Sequence, residues 1–346
     1  MDKIKNQRLK VCFINVYQGV VDRGGETFVK ELADDLSRVH VVDVISGKGR
    51  LPKRWPVWWR VFLDPQGILI GWFTLRNLGK IWREKYDVVI PLNGGWQAVL
   101  VRLITWVYGG RMVVSGQSGA GWDDRVNLWC FPDVFVALSK KAMFWGRGVN
   151  RFVKMMLIPN GVNLDRFSDM GDRFKVELER PVVLCVGALS KEKRIDLVIR
   201  AVAGLKKGSL LVVGRGELKE EMVDLGSRLL GRRFKLVGLP FEKMPEVYRA
   251  ADVFTLPSVT GQSFEIVLVE AMASGLPVVA NDDSIRREIV GEAGILVDPT
   301  DEEVLAKALK YALEKDWGDE PRKQAEKFSW ERIAKEYEQL FYELNR

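Results

Sequence analysis

The sequence predicts an α/β protein of two domains, each built on a parallel sheet, and three observations support this. Strand-like apolar runs alternate with amphipathic segments through most of the 346 residues, which is the pattern of parallel α/β sheets. A polar stretch at 159–180 interrupts the alternation, and a second series of the same kind follows it. The chain is also too long for one compact core. We therefore expect domains at 1–160 and 161–328.

The first series alternates strands with helices, and its first helix is the clearest. Residues 25–38 form an amphipathic pattern in which Phe28, Leu32 and Leu36 share one face. Residues 47–66 are rich in Pro, Trp and Arg and do not continue the alternation, so we interpret them as an insertion. The expected strands are 10–16, 40–44, 87–91, 111–115, 134–138 and 155–159.

The second series repeats the architecture and ends in a helix. Its expected strands are 182–186, 210–213, 235–237, 253–256 and 277–280, and its expected helices are 193–205, 218–230, 244–251 and 265–274. The last helix, 331–344, follows the cap-like Ser329 and carries aromatic side chains.

Composition excludes several classes of function. The chain has one histidine, His40, and three cysteines without a CxxC pair, so metal or catalytic sites built on histidine clusters are not expected. The charged start and the absence of a long apolar run predict a cytoplasmic protein without a signal peptide or a transmembrane helix. No recognisable nucleic-acid-binding module accompanies the net charge of +7, so no nucleic-acid partner is expected.

The positive charge is concentrated in the first half. Residues 1–160 hold 24 Lys and Arg against 13 Asp and Glu, and ten of the twelve tryptophans lie before residue 150. This half could meet an anionic membrane surface or a phosphate-bearing acceptor, and the segment 53–73 is the strongest candidate for the contact. A solvated basic face over an aromatic core explains the same composition.

Two glycine-bearing turns stand where a strand is expected to lead into a helix. Gly24 and Gly25 leave backbone N–H groups free at a helix N-terminus, which favours anions, although two glycines also simply make a tight turn. Gly214-Arg215-Gly216 resembles this in the second half, but Lys219 breaks the GxGxxG pattern of dinucleotide sites.

A third loop, after the strand 182–186, collects Lys191, Lys193 and Arg194. Ligands of open α/β sheets bind at this edge, so the cations could neutralise a diphosphate, or they could form an ordinary solvated loop.

The passage 257–280 is the most informative part of the chain. A strand ends in Pro-Ser, a polar loop follows, and a helix then presents Gln262, Glu265 and Glu270 near its start. Glu270 stands among apolar neighbours, so its carboxylate requires a partner, which paired sugar hydroxyls could supply.

Taken together, these motifs resemble those of family-4 glycosyltransferases of the GT-B fold. The matching stretches occur in family order over nearly the whole chain: Gly24-Gly25, IPNGV at 158–162, the loop with Glu192-Lys193, LVVGRG at 211–216, the block 257–280, GILVDP at 294–299 and FSW at 328–330.

The resemblance implies two Rossmann-like domains that face each other across a cleft, with residues 329–346 returning to the first domain. It implies a retaining hexosyltransferase that needs no metal and no cofactor. Such an enzyme takes a UDP- or GDP-sugar as donor and a carbohydrate or lipid-linked acceptor, at the inner face of the membrane.

Site residues follow from the resemblance position by position. Lys193 would stabilise the departing diphosphate and Glu270 would hold the ribose. The implied catalytic residues are Lys193, Gln262, Glu265 and Gln117. The implied donor-binding residues are Gly24, Gly25, Gly187, Arg194, Gly214, Arg215, Gly216, Ser263, Phe264, Ile266, Val267 and Glu270.

Four positions depart from the family pattern. Gln262 replaces a glutamate, Ala188 replaces an arginine and Gln117 replaces a histidine, while Glu265 stands where the family has glycine. Loss of one charge-stabilising donor costs on the order of 3 kcal/mol in the transition state, which Arg194 or Arg215 could compensate. The alternative function is therefore a degenerate GT-B protein that binds a nucleotide sugar or glycan without efficient transfer.

Overall fold

The structure, a computed structural model, describes residues 8–20, 24–47, 52, 60–260 and 264–346. It divides into two compact units. The first consists of Met1–Asn160 together with Trp330–Arg346, and the second is Gly161–Ser329.

The first unit contains a six-stranded sheet in the order β2-β1-β3-β4-β5-β6, with every neighbouring pair parallel. Its elements are β1 (Lys10–Asn15), α1 (Gly24–Leu36), β2 (Val41–Ser46), α2 (Arg60–Leu63), α3 (Pro65–Glu84), β3 (Val88–Pro91), α4 (Trp96–Tyr108), β4 (Arg111–Ser115), α5 (Trp122–Trp129), β5 (Val134–Ala137), α6 (Lys140–Val149), β6 (Lys154–Leu157) and α14 (Trp330–Leu344).

Helices cover both faces of this sheet, because alternate strand residues point to opposite sides. Val11 and Phe13 belong to a core shared with α1 and α14, where the ring of Phe28 packs on Tyr337 at 5.9 Å between centroids. Cys12 and Ile14 belong to a second core shared with α3, α4, α5 and α6. The last helix of the chain is therefore part of the first unit.

The segment at 47–66, interpreted as an insertion, ends in helical structure. Residues 60–63 form α2, and α3 begins immediately after Asp64, whose side chain accepts a hydrogen bond from the backbone N–H of Gly67 at 2.6 Å. Pro65 occupies the first helical position, where its missing N–H is harmless. Trp and Pro in the preceding residues obscured this capping signal.

The second unit contains a sheet in the order β12-β11-β10-β7-β8-β9, again with all neighbouring pairs parallel. Its elements are β7 (Val182–Val186), α7 (Ile195–Ala203), β8 (Ser209–Val213), α8 (Lys219–Leu230), β9 (Phe234–Val237), α9 (Met244–Arg249), β10 (Val253–Leu256), α10 (Ile266–Ala273), β11 (Val278–Asn281), α11 (Ser284–Val290), β12 (Gly294–Val297), α12 (Glu302–Glu314) and α13 (Glu320–Glu326).

The expected fold class is confirmed by these two parallel sheets with helices. One element differs at the position that matters most for the site: the helix expected at 193–205 begins only at Ile195, after a 3-10 turn at Lys191–Lys193. Arg194 has a left-handed backbone (φ 50°), which separates the turn from the helix. Lys193 thus lies on a tight turn rather than on a helix.

Candidate functional site

The strand order of the second sheet defines one special position at its carboxyl edge. Strands β7 and β10 are neighbours, yet β8 and β9 lie between them in the chain, so the order reverses at this pair. In open α/β sheets ligands bind outside the carboxyl ends of the strands at such a switch point. The 3-10 turn with Lys193 follows β7, and Ser258 and Glu265 follow β10.

Glu265 is the centre of a buried network at this point. Its Oε1 accepts a hydrogen bond from Lys193 Nζ at 2.7 Å and another from the hydroxyl of Ser258. Its Oε2 accepts one from Arg286 Nη2 at 2.7 Å. We call Lys193, Ser258, Glu265 and Arg286 the Glu265 network.

The charges of this network are compensated although the site is buried. Glu265 is 5% exposed and Arg286 is fully buried, while the Lys193 side chain retains 19% exposure. Burial alone would raise the pKa of Glu265, but the charges of Lys193 and Arg286 and the bonds from Lys193 and Ser258 outweigh it, so the pKa is lowered. The carboxylate therefore stays ionised, and the ammonium group is its contact toward the less buried side.

Arg286 is fixed from its other end by Asp283. Its Nη1 donates to Asp283 Oδ2 at 2.8 Å, and the other oxygen of Asp283 caps α11 by accepting from the backbone N–H groups of Ile285 and Arg286. Asn281 also donates to this carboxylate at 2.6 Å. No sequence motif predicts a role for Arg286 or Ser258. A usable signal was present, because Arg286 shares a helical face with the apolar Ile289 and Val290.

The glycines of the second unit bring two loops into direct contact. A Cβ on Gly214 would lie 1.9 Å from the carbonyl oxygen of Gly187, and one on Gly216 would lie 2.4 Å from that of Leu189. The backbone N–H of Leu189 donates to the carbonyl of Arg215 at 2.9 Å. These glycines are required by the close approach of the loops after β7 and β8, whatever ligand they meet.

The two arginines proposed to compensate for Ala188 lie outside the Glu265 network in the described part of the chain. Arg194 is half-buried, and its charge adds to the hydrogen bonds from Thr300 that lower the pKa of Asp298. Arg215 is exposed and lies over Gly238, where an added Cβ would come within 3.0 Å of its Nε.

Glu270 forms a hydrogen bond with another side chain of the protein. Its Oε2 accepts a hydrogen bond from the hydroxyl of Tyr248 on α9 at 2.8 Å, and it is 4% exposed. Burial and the neighbouring carboxylate raise the pKa of Tyr248 well above its ordinary value, so the phenol remains the donor. Tyr248 thus satisfies one oxygen of the carboxylate within the protein, and the role of Glu270 in holding the ribose stays a prediction.

The remaining predicted residues of this passage lie around the start of α10. Phe264 is buried with its ring 5.8 Å from that of Phe328, Ile266 is buried, and the carbonyl of Val267 accepts from the Tyr248 hydroxyl at 3.4 Å. The predicted residues Gln262 and Ser263 lie outside the described residues.

The first sheet has its own switch point, between β1 and β3, and amide side chains occupy it. Asn93 donates through Nδ2 to Asn15 Oδ1 at 3.2 Å, while its own Oδ1 accepts from the backbone N–H of Val16 at 2.9 Å. Gly24 and Gly25 open α1 as expected, and Glu26 in its first turn accepts from Asn15 Nδ2 at 3.3 Å. No sequence motif predicts a role for Asn15 or Asn93.

Gln117 forms a reciprocal amide pair after β4. Its Nε2 donates to Asn160 Oδ1 and its Oε1 accepts from Asn160 Nδ2, both at 2.9 Å. Gln117 also donates to the hydroxyl of Ser115, which lies 3.3 Å from that of Tyr337. The loop that carries Gln117 is thus tied to α14.

Asp124, in the first turn of α5, is a buried carboxyl of a different kind. Burial raises its pKa to about 8, against the lowering effect of hydrogen bonds from Asn127 and from the backbone N–H groups of Gly119 and Ser118. It is therefore protonated at neutral pH and anchors the loop after β4. Within the described ranges, no three His, Cys, Asp or Glu side chains form a group that could hold a metal ion.

Known proteins resemble this chain in the second unit and, in one relative, over most of its length. Residues 180–315, most of the second unit, match the family model for group 1 glycosyl transferases. The GDP-mannose-dependent alpha-(1-6)-phosphatidylinositol monomannoside mannosyltransferase of Mycolicibacterium smegmatis is 33% identical over 327 residues, which are 83% of this chain and 85% of that protein.

The chain therefore belongs to the group 1 glycosyl transferases. Other curated relatives match over less: an uncharacterized glycosyltransferase of Methanocaldococcus jannaschii is 32% identical over 53% of this chain, and the phosphatidyl-myo-inositol mannosyltransferase of Mycobacterium leprae is 36% identical over 46%. The chain spans about half the length of these two, at 52% and 44%.

Solved structures of glycosyltransferases match over nearly the whole chain and confirm the GT-B fold. Sucrose-phosphate synthase from Thermosynechococcus elongatus has a TM-score of 0.77 at 22% identity and covers 97% of this chain and 99% of its own. HepE from Anabaena, in complex with UDP and glucose, has a TM-score of 0.73 at 18% identity, with coverage of 96% and 99%.

Proposed function

We propose that this protein transfers a hexosyl group from a UDP- or GDP-sugar to a glycolipid or polysaccharide acceptor, with retention of configuration. The observation that carries the proposal is the Glu265 network, which positions an ammonium group at the switch point of the second sheet. The proposal assigns no metal and no cofactor to the reaction, and it locates the acceptor at the inner face of the membrane.

The proposed role of Lys193 is to stabilise the leaving diphosphate. An ammonium group has three donors, so Lys193 can keep its bond to Glu265 and still donate to a phosphate oxygen. The first N–H groups of α10 have no partners within the helix, and they face an end where the dipole favours anions. A preorganised cation and backbone donors are what a departing diphosphate requires.

The family supports the donor and acceptor classes. The mannosyltransferase of M. smegmatis is described as dependent on GDP-mannose and as acting on a phosphatidylinositol monomannoside. HepE was solved with UDP and glucose. We infer a nucleotide-diphospho-sugar donor and a lipid-linked or polysaccharide acceptor from these relatives.

The first unit suits the hydroxyl groups of an acceptor. Its carboxyl edge presents amides, notably Asn15, Asn93 and Gln117, which bind hydroxyl groups as both donors and acceptors. The acceptor proton is proposed to pass to the leaving phosphate, so no enzyme nucleophile is assigned.

One observation favours the second candidate, a protein that binds a nucleotide sugar without efficient transfer. The ammonium group of Lys193 is already neutralised by Glu265, and Ala188 supplies no charge in the same loop. Transition-state stabilisation by this site would then be weaker than its binding of the donor.

The experiment is a donor panel. Purified protein is incubated with UDP- and GDP-sugars, release of the nucleoside diphosphate is measured, and binding is measured in parallel by calorimetry. Turnover with at least one donor that Lys193→Ala abolishes and Lys191→Ala, an exposed neighbour, retains supports transfer. Binding without turnover supports the second candidate, and neither binding nor turnover with any donor contradicts both.

A further inference from the structure

The face of the first unit formed by α3 and α4 carries large apolar side chains on its outside. Seven of them are between 43% and 69% exposed: Ile68, Trp72, Leu75, Trp82, Leu103, Trp106 and Val107. We call this surface the α3–α4 face. Scattered exposed apolar residues are normal, but a group of this size indicates an interaction site.

The exposed side chains of α3 follow the helical repeat. Ile68, Trp72, Leu75 and Trp82 are spaced so that they share one face of the helix, whereas Ile70 and its neighbours point into the core. A surface helix of a globular protein ordinarily has one apolar face and one polar face. Helix α3 has two apolar faces, and packing against the sheet accounts for only one of them.

Helix α4 lies beside α3, so their exposed side chains adjoin. A Cβ on Gly71 would come within 3.1 Å of Trp96 at the start of α4. Toward the other ends of the helices, the ring of Trp82 lies 6.5 Å from that of Tyr108. Contacts at both ends show that the helices run side by side, and their outward residues form one surface.

Basic side chains outnumber acidic ones on these two helices. Helix α3 contains three basic residues and one acid, Glu84, and α4 contains Arg102 and no acid. The guanidinium groups of Arg76 and Arg102 lie over the rings of Trp72 and Trp106 at 4.8 and 4.7 Å from the centroids. Arg102 is also paired with Asp133 and Lys80 with Asp43, whereas Arg76 is exposed.

We propose that the α3–α4 face docks on the surface of an anionic lipid bilayer. Tryptophan and arginine together suit the headgroup region, where the indole enters the apolar boundary and the guanidinium meets phosphate. The absence of acidic side chains on α4 matches the negative surface potential of such a membrane. That docking delivers the protein to a lipid-linked acceptor rests on the function proposed above.

This location refines the membrane contact expected at residues 53–73. Residues 53–59 lie outside the described residues, and most of the exposed apolar surface is contributed by later residues on α3 and by α4. Over the described residues, no helix is both long and apolar enough to cross a membrane.

The test uses flotation with vesicles of phosphatidylcholine, with and without phosphatidylglycerol. We expect the wild-type protein to bind the anionic vesicles and to bind neutral ones at least fivefold more weakly. Trp72→Ser combined with Trp106→Ser should lose binding by roughly tenfold or more, and Arg76→Gln should weaken it by roughly fivefold. Tyr311→Ser, at an exposed aromatic position on α12 in the second unit, is the matched control and should bind as wild type.

Failure of this inference and failure of the proposed function are distinguishable. Nucleoside diphosphate release without vesicles reports the donor site, and the double tryptophan variant should retain whatever activity the wild type has. A folded wild-type protein that ignores anionic vesicles, or a double variant that binds them equally, overturns the docking surface. A wild-type dimer that the double variant makes monomeric, without vesicle binding, overturns it in favour of an interface between copies.

Discussion

At the carboxyl edge of the second sheet the buried polar side chains are mainly ions, whereas at that of the first sheet they are mainly amides. Lys193, Glu265 and Arg286 meet where β7 and β10 adjoin, and Asn15 and Asn93 meet where β1 and β3 adjoin. Both positions are switch points of parallel sheets, so topology alone does not distinguish them. Under the proposed function, the charged groups suit an anionic donor and the neutral hydrogen-bonding groups suit the hydroxyls of an acceptor.

The largest expected effect follows from the loss of Lys193, the partly exposed cation of the Glu265 network. Lys193→Ala should lower kcat/KM for the nucleotide sugar roughly 10²–10³-fold, because a preorganised charge toward the leaving group is removed. Steady-state kinetics check this, with Lys191→Ala as the control from the same turn. Equal loss in both variants would show that the turn as a whole, and not the ammonium group, is responsible.

Removal of the Glu265 carboxylate from the Glu265 network should reduce stability. Glu265→Gln should cost about 3 kcal/mol in the free energy of unfolding, because Arg286 stays buried with only Asp283 to balance it. The folded-state pKa of Glu265 is lowered, so its contribution is present above its unfolded pKa of about 4.3 and is lost as pH falls through the folded value. Urea denaturation at pH 7 and at pH 3.5 measures the free energy of unfolding of the wild type and of the variant. A difference between the two proteins that does not narrow at pH 3.5 contradicts an ionic origin of the effect.

Substitution of an amide side chain at the carboxyl edge of the first sheet should reduce stability less. Gln117→Ala removes a reciprocal amide pair and leaves the buried Asn160 without that partner, at a cost of about 1–3 kcal/mol in the free energy of unfolding. Because no net charge changes, this cost should be nearly independent of pH between 5 and 8. The same denaturation series checks it, with Gln339→Ala on the outside of α14 as a control of small effect.

The smallest effect distinguishes Asp124 from Glu265 by the sign of the pH dependence of stability. The raised pKa of Asp124 means that the unfolded chain loses its proton near pH 4 and the folded protein only near pH 8, so the wild type loses stability across that window. Asp124→Asn avoids this loss, and its Tm should exceed that of the wild type by about 3 °C or more at pH 8, with a smaller gap at pH 5. Scanning calorimetry at both pH values decides, and a gap that shrinks with rising pH would refute the assignment.

The Glu265 network was predictable from the sequence in part, and the amide side chains of the first sheet hardly at all. Lys193 and Glu265 stood in motifs whose spacing follows strand ends, so their position at one edge was predictable. Their direct pairing was not, because it depends on how two loops separated by 72 residues meet in space. Asp283 and Arg286 lie at the start of α11, which follows a third strand, β11. No local sequence pattern links these two residues to Glu265.

Two other differences have physical causes as well. Asn15 and Asn93 were missed because single amides carry no sequence pattern, and their significance arises from strand order. Helix α3 was obscured because its two apolar faces weaken the contrast on which a helical pattern depends. By contrast, the buried strands were found nearly residue by residue, since continuous apolar runs survive any tertiary context.

Because α14 supplies Trp330, Tyr337 and Phe341 to a core otherwise built from residues before 160, the first unit is discontinuous in sequence. During synthesis the second unit, which is one unbroken segment, is complete on the ribosome while the first still lacks part of its interior. The earlier-made segment must therefore wait for the later one, with apolar surface uncovered until translation reaches the last helix. Truncation before Trp330 should accordingly yield a chain that chaperones retain, even though every residue of the second unit is present.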